Sequence, residues 1–226
     1  RAGQQMKVQE LALVFGVIAV IVAIIVVGSV AERKRRRGVA GSGRSLGLAC
    51  SLDDQSATNQ GAAFSALGPF TRLRRAEAGI VWSAQGTMGG RSVTFVEHRY
   101  STGSGKNKHT VRHSIAAVAC PGAWPSMSVT AESLFHKIAD LFGSRDIQVE
   151  DASFNKRWRV KSDSEDFAIL FLSPEIQRFF ATLPRGCWLE IGNGALCLAV
   201  RTTLNATEVA GLLTRAHELA AMLPPE

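Results

Sequence analysis

Cys187 to Leu223 reads CWLEIGNGALCLAVRTTLNATEVAGLLTRAHELAAML. Two apolar runs, Cys187–Gly192 and Ala195–Val200, flank Asn193-Gly194, a pair suited to a two-residue hairpin turn with positive φ. That turn sets 192 opposite 195 and 190 opposite 197. Leu189, Ile191, Leu196 and Leu198 then share one face of the hairpin, which must be core. After a short connection, Asn205-Ala-Thr-Glu208 has the capping-box pattern that opens a helix. Val209, Leu212, Leu213, Ala216, Leu219, Ala220 and Leu223 give that helix one apolar stripe.

The same mixture continues upstream. Ala76–Gln85 and Arg91–Ser101 flank a Gly-rich turn at 86–90 and predict a hairpin. Thr110–Ala119 predicts a third strand and Met127–Val129 a short fourth. Thr130 is placed to cap a helix through about Phe142, with Gly143 as its stop. Short strands are expected at Asp146–Glu150 and Phe154–Lys161. A helical stretch is expected at 164–171, and a second helix begins at Ser173-Pro174-Glu175. Strands and helices in mixed order, with several hairpins, predict an α+β domain. Its sheet is mostly antiparallel, with helices packed on it.

The N-terminus is different in kind. Leu11 to Ala31 reads LALVFGVIAVIVAIIVVGSVA, 21 residues without a charge. As a helix it is about 31 Å long, the thickness of a bilayer's hydrocarbon core. The apolar region of a cleaved signal peptide is shorter, and its charge precedes it. Here the charge follows, as Arg33, Lys34, Arg35, Arg36 and Arg37, which reads as a stop-transfer flank able to meet anionic lipid head groups. The positive-inside rule puts the N-terminus outside and the rest in the cytoplasm, in a bacterial inner membrane. Ala12, Gly16, Ala19 and Ala23 fall at spacings of four, three and four. They form a small-residue face on which another helix can pack.

This gives four regions: a short segment 1–10, a span 11–31, a basic flank and linker 32–61, and a globular domain 62–226. Gly38-Val-Ala-Gly-Ser-Gly43 reads as a flexible linker.

The chain carries a net charge of +7. Seven of its 26 Lys and Arg and two of its 19 Asp and Glu precede Gly38, so the remainder is only +2. A basic face spread over the domain, as nucleic acid requires, is not expected. Gly103-Ser-Gly105-Lys106-Asn107 departs from a phosphate loop, with Tyr100 and Asn107 where Gly and Ser/Thr belong. His109 and His113 lie four apart without further ligand spacing. Cys187 and Cys197 point to opposite faces of their hairpin and cannot be bridged. No nucleophile elbow is present. We therefore expect no catalytic residues, no metal and no cofactor. Trp124, in Pro121-Gly-Ala-Trp-Pro125, is a candidate interface anchor.

A run of segments resembles an uncharacterised family of bacterial membrane-anchored proteins over roughly 64–223. They are Ala78-Gly79-Ile80, Val96-Glu-His-Arg-Tyr100, Thr110-Val111, Trp124 to Glu132, Asp146-Ile147, Phe154 and Leu170-Phe171-Leu-Ser-Pro174. That family often has two spans where this chain shows one. The resemblance implies the fold and an anchor, and no reaction. The expected function is a non-enzymatic accessory subunit of a larger integral-membrane complex, photosynthetic or respiratory, docking by its span onto membrane protein subunits. The competing readings are a tethered cytoplasmic sensor or ligand-binding module, and a membrane-associated Cys/His enzyme.

Overall fold

A computed structural model describes residues 2–52, 79–120, 122–131, 146–184 and 186–224, with side chains in the first helix from Phe15 onward. One long helix, α1 (Ala2–Ser45), is followed by an antiparallel sheet with helices packed on it, an α+β fold.

The eight strands among the described residues are β1 (Ala49–Ser51), β2 (Gly79–Met88), β3 (Arg91–Thr102), β4 (His109–Ala119), β5 (Met127–Ala131), β6 (Trp158–Ser162), β7 (Cys187–Gly192) and β8 (Ala195–Val200). They are ordered β1-β2-β3-β4-β8-β7-β5-β6, and every pair is antiparallel. Among the described residues, the helices after the first are α2 (Ala152–Arg157), α3 (Glu165–Phe171), α4 (Pro174–Ala181) and α5 (Ala206–Ala221).

The 187–200 hairpin has the expected register, Gly192↔Ala195 and Glu190↔Cys197, with Asn193 at φ 50° and Gly194 at φ 75°. Cys187 and Cys197 therefore lie on opposite faces, and both are free buried thiols. Burial pushes Cys187 up to about 12 and Cys197 well above the ordinary thiol range. Leu189, Ile191, Leu196 and Leu198 form the core face under α5. Asn205 and Glu208 complete the capping box. At the far end of the sheet, Phe180 of α4 meets Trp158 and Phe154 edge-on, with ring centroids 5.1 and 5.7 Å apart.

The β2–β3 turn is tighter than expected. The strands run to Met88 and resume at Arg91, leaving only Gly89 and Gly90, both at positive φ. A Cβ on Gly89 would stand 2.6 Å from the His217 ring of α5, so the position needs glycine twice over.

Four expectations change. Residues 154–157 belong to α2 rather than to a strand, because Asp151 accepts from the Ser153 and Phe154 amides and starts a helical turn. Residues 146–150 supply only one bridge, Ile147↔Val160. Thr130 continues β5 through Ala131 instead of capping a helix, and the rest of that helix lies outside the described residues. Gly38–Gly43 is no linker: α1 runs unbroken through it to Ser45. Its end packs on β1 and on α5, with Val39 and Ala40 fully buried. The 53–61 loop and the boundary at 62 lie outside the described residues.

Candidate functional site

The first link is the parity of β3. Val93, Phe95 and Glu97 alternate onto the core face, so an acid falls where the pattern calls for an apolar residue. Glu97 is 1% exposed. A buried carboxylate must be paired and hydrogen-bonded to be tolerated. Three elements converge to do this.

From β2, a register irregularity between Ile80 and Trp82 sets Trp82 opposite Glu97, and the indole Nε1 donates to Glu97 Oε2 at 2.9 Å. From β4, Arg112 Nη1 lies 3.3 Å from Glu97 Oε1. From α1, Arg35 Nη2 donates to Glu97 Oε2 at 2.7 Å. Arg35 also takes Glu32 in a two-pronged pair, Nε to Oε2 at 3.0 Å and Nη2 to Oε1 at 2.9 Å. Its Nη1 donates to the Leu204 carbonyl, just before α5, at 2.9 Å. Planar, two-pronged guanidinium–carboxylate geometry of this kind is among the stronger protein hydrogen bonds.

Glu32 joins the cluster from the other side. Its Oε1 also accepts from Arg36 Nε at 3.0 Å and Arg112 Nη1 at 3.3 Å. The Arg35 hydrogen bond, with help from Arg36 and Arg112, holds its carboxyl down to about 2. Arg35 is correspondingly pushed up by Glu32 and Glu97. Glu32 is the first residue after the apolar stretch 11–31. The junction therefore ties the end of that stretch to β2, β3, β4 and the start of α5.

The five-residue basic run is thus divided. Arg35 turns into the protein and Arg36 pairs with Glu32, so neither is free to act as a plain head-group contact. Arg33, Lys34 and Arg37 are exposed. Ala19 and Ala23 are exposed, a Cβ on Gly16 would meet nothing within 4 Å, and Ala12 lies among the residues whose side chains are not described. From Phe15 to Val30 every residue is exposed, so the small-residue face has no partner within the described chain.

Trp124 is half-buried, and its ring lies 5.8 Å from that of Phe167, so part of it packs against the domain. His113 sits opposite His98, and His109 is exposed near the Asn107 carbonyl. Among the described residues, no three His, Cys, Asp or Glu lie together as metal ligands would. Gly103 to Lys108 form the β3–β4 turn, between two strands, not between a strand and a helix.

The sequence carries a signal for Glu97 outside any named motif. An acid at the third position of an otherwise apolar, period-two core face demands a buried cation from elsewhere.

No family model matches the chain, and no curated protein matches it. Among solved structures, the crystal structure of the mycobacterial trehalose monomycolate transport factor A, TtfA, is similar with a TM-score of 0.57 and 14% sequence identity. The match covers 86% of this chain and 98% of that one. At that identity the likeness is one of fold.

Proposed function

We propose that this chain is a non-enzymatic accessory factor of an integral-membrane transport assembly. Residues 11–31 anchor it in a bacterial inner membrane, and its α+β domain is held on the cytoplasmic face. The observation that carries this reading is the continuity of α1. A helix of 44 residues, about 66 Å long, leaves the apolar stretch and enters the fold without a break. The Glu32–Arg35–Glu97–Arg112 cluster fixes the junction. A sensor on a tether needs freedom between anchor and domain. A factor that positions membrane partners needs the opposite, and this chain has a stiff junction.

Two further observations support the reading. The apolar surface of 15–30 is unpartnered within the described chain, and it suits lipid or a partner's helices. A solved structure with a similar fold is that of a transport factor, which favours a transport assembly over the photosynthetic or respiratory one. The cytoplasmic orientation rests on Arg33, Lys34 and Arg37.

Native copurification tests this. Source membranes are solubilised in mild detergent and separated by size, and mass spectrometry locates the chain. Migration with a multi-span membrane protein at fixed stoichiometry is the expected result. Migration alone overturns the accessory role.

A further inference from the structure

Beside the junction the sheet opens. β8 ends at Val200, paired with Ser114, while β4 begins five residues earlier, at His109. Ser114 Oγ donates to the Thr202 carbonyl at 2.8 Å and turns 201–203 away from the strand. Between that segment and the part of β4 that pairs with β3 but not with β8 lies a groove of about 620 Å³. Three arginines line it: Arg99 from β3, Arg112 from β4 and Arg201 from beyond β8. The remaining lining is Ser101, His109, Thr110, Val111, Thr202 and Thr203, with no carboxylate.

Arg112 is shared with Glu32 and Glu97. Arg99 and Arg201 make no ion pair with any described residue. Two uncompensated guanidinium groups and a third nearby, ringed by hydroxyls, form a cradle for a phosphate. β4 adds the backbone N–H and C=O groups that an unpaired strand edge presents.

Position identifies which phosphate. Arg112 Nη1 is 3.3 Å from Glu32 Oε1, and Glu32 follows Ala31 directly. The head-group layer of a bilayer leaflet is roughly 5–7 Å deep. With residues 11–31 in the membrane, the groove opens at that layer. We infer that the Arg99–Arg112–Arg201 groove binds the head group of an anionic phospholipid. The inference rests on the proposed anchoring by 11–31, and it needs no protein partner. A zwitterionic head group carries an ammonium that finds no carboxylate in the lining, so the groove discriminates by charge.

The test uses the full purified chain in a neutral detergent. It is titrated with short-chain phosphatidylglycerol, short-chain phosphatidylcholine or inorganic phosphate, and adducts are counted by native mass spectrometry. One phosphatidylglycerol per chain is expected, with phosphatidylcholine much weaker. Arg99→Gln and Arg201→Gln are each expected to weaken the adduct about tenfold, the scale of one charge-assisted hydrogen bond. Arg99 is exposed and Arg201 half-buried, and neither makes an ion pair with a described residue, so folding survives. A triple variant, Arg33→Gln with Lys34→Gln and Arg37→Gln, is expected to keep the single adduct. The inference is overturned by any of three results: wild-type binding in the Arg99/Arg201 variants, loss in the triple variant, or displacement of the lipid by an equal concentration of inorganic phosphate. Because no partner is present, loss of this site and loss of the copurifying partner are separate outcomes.

Discussion

Arg35→Ala is expected to destabilise the folded chain by about 3–5 kcal/mol, the usual cost of breaking a buried ion pair by removing one partner. The reason is the carboxylate left behind. Glu97 is 1% exposed, whereas the Arg35 side chain is 19% exposed and reaches it from α1. Without Arg35, Glu97 keeps, among the described residues, only Trp82 and the more distant Arg112. Glu32 loses its two-pronged partner, and the Leu204 carbonyl loses its donor. For a domain of this size that corresponds to a fall in melting temperature of about 10 °C. Arg36→Ala, at a side chain 27% exposed whose ion pair is with the equally exposed Glu32, should cost less than about 1 kcal/mol. Differential scanning fluorimetry of both variants in the same detergent checks the contrast. Equal small effects would mean that the helix is not locked to the sheet.

The second large effect is on pH. His98 and His113 face each other across β3 and β4, with ring centroids 6.5 Å apart. Tyr100 stacks on His113 at 5.5 Å, and Trp188 meets it edge-on at 5.0 Å. Both histidines are buried, and their Nδ1 atoms find no hydrogen-bond partner among the described residues. Burial pushes both down to about 4; for His113, His98 and Arg201 add a smaller push.

Above the ordinary imidazole range, near pH 6.5, folded and unfolded chains hold both rings neutral, and stability does not depend on them. Between about pH 6.5 and 4 the unfolded chain takes up protons that the fold refuses. Each histidine then lowers stability by about 1.4 kcal/mol per pH unit, and below about pH 4 the loss is complete at about 3 kcal/mol apiece. Melting temperature measured from pH 7.5 down to 4.5 should fall with that slope. His113→Phe, which keeps an aromatic ring against Trp188, should roughly halve it. An unchanged slope would place the acid sensitivity elsewhere.

Much of the fold is legible in the sequence because its signals are local. Asn193-Gly194 sets the register of its hairpin, Asn205 and Glu208 cap the last helix, and Ser173-Pro174 opens α4. Where the structure departs from the sequence expectation, tertiary contact decides. Gly38, Gly41 and Gly43 look like a linker by composition. Yet a Cβ on Gly43 would lie 2.6 Å from Cys50 Sγ, so at that point the small residue lets α1 lie close against β1. Packing overrides the low helix propensity of glycine. The short α2 hides behind Phe154 and Trp158, whose alternation suggests a strand, while Asp151 caps the turn. The site was only half legible. Arg33–Arg37 announces a membrane flank, but nothing local shows that Arg35 alone turns inward to an acid 62 residues away.

The proposed role requires α1 and the domain to form one rigid unit. Spin labels at Lys34→Cys and Arg178→Cys, both exposed positions, report this directly on a Cys50→Ala background in lipid nanodiscs. Pulsed dipolar spectroscopy is expected to give one narrow distance distribution, broadened when Arg35→Ala is added. A broad distribution in the chain with Arg35 intact would show a hinge between span and domain, and would contradict the account.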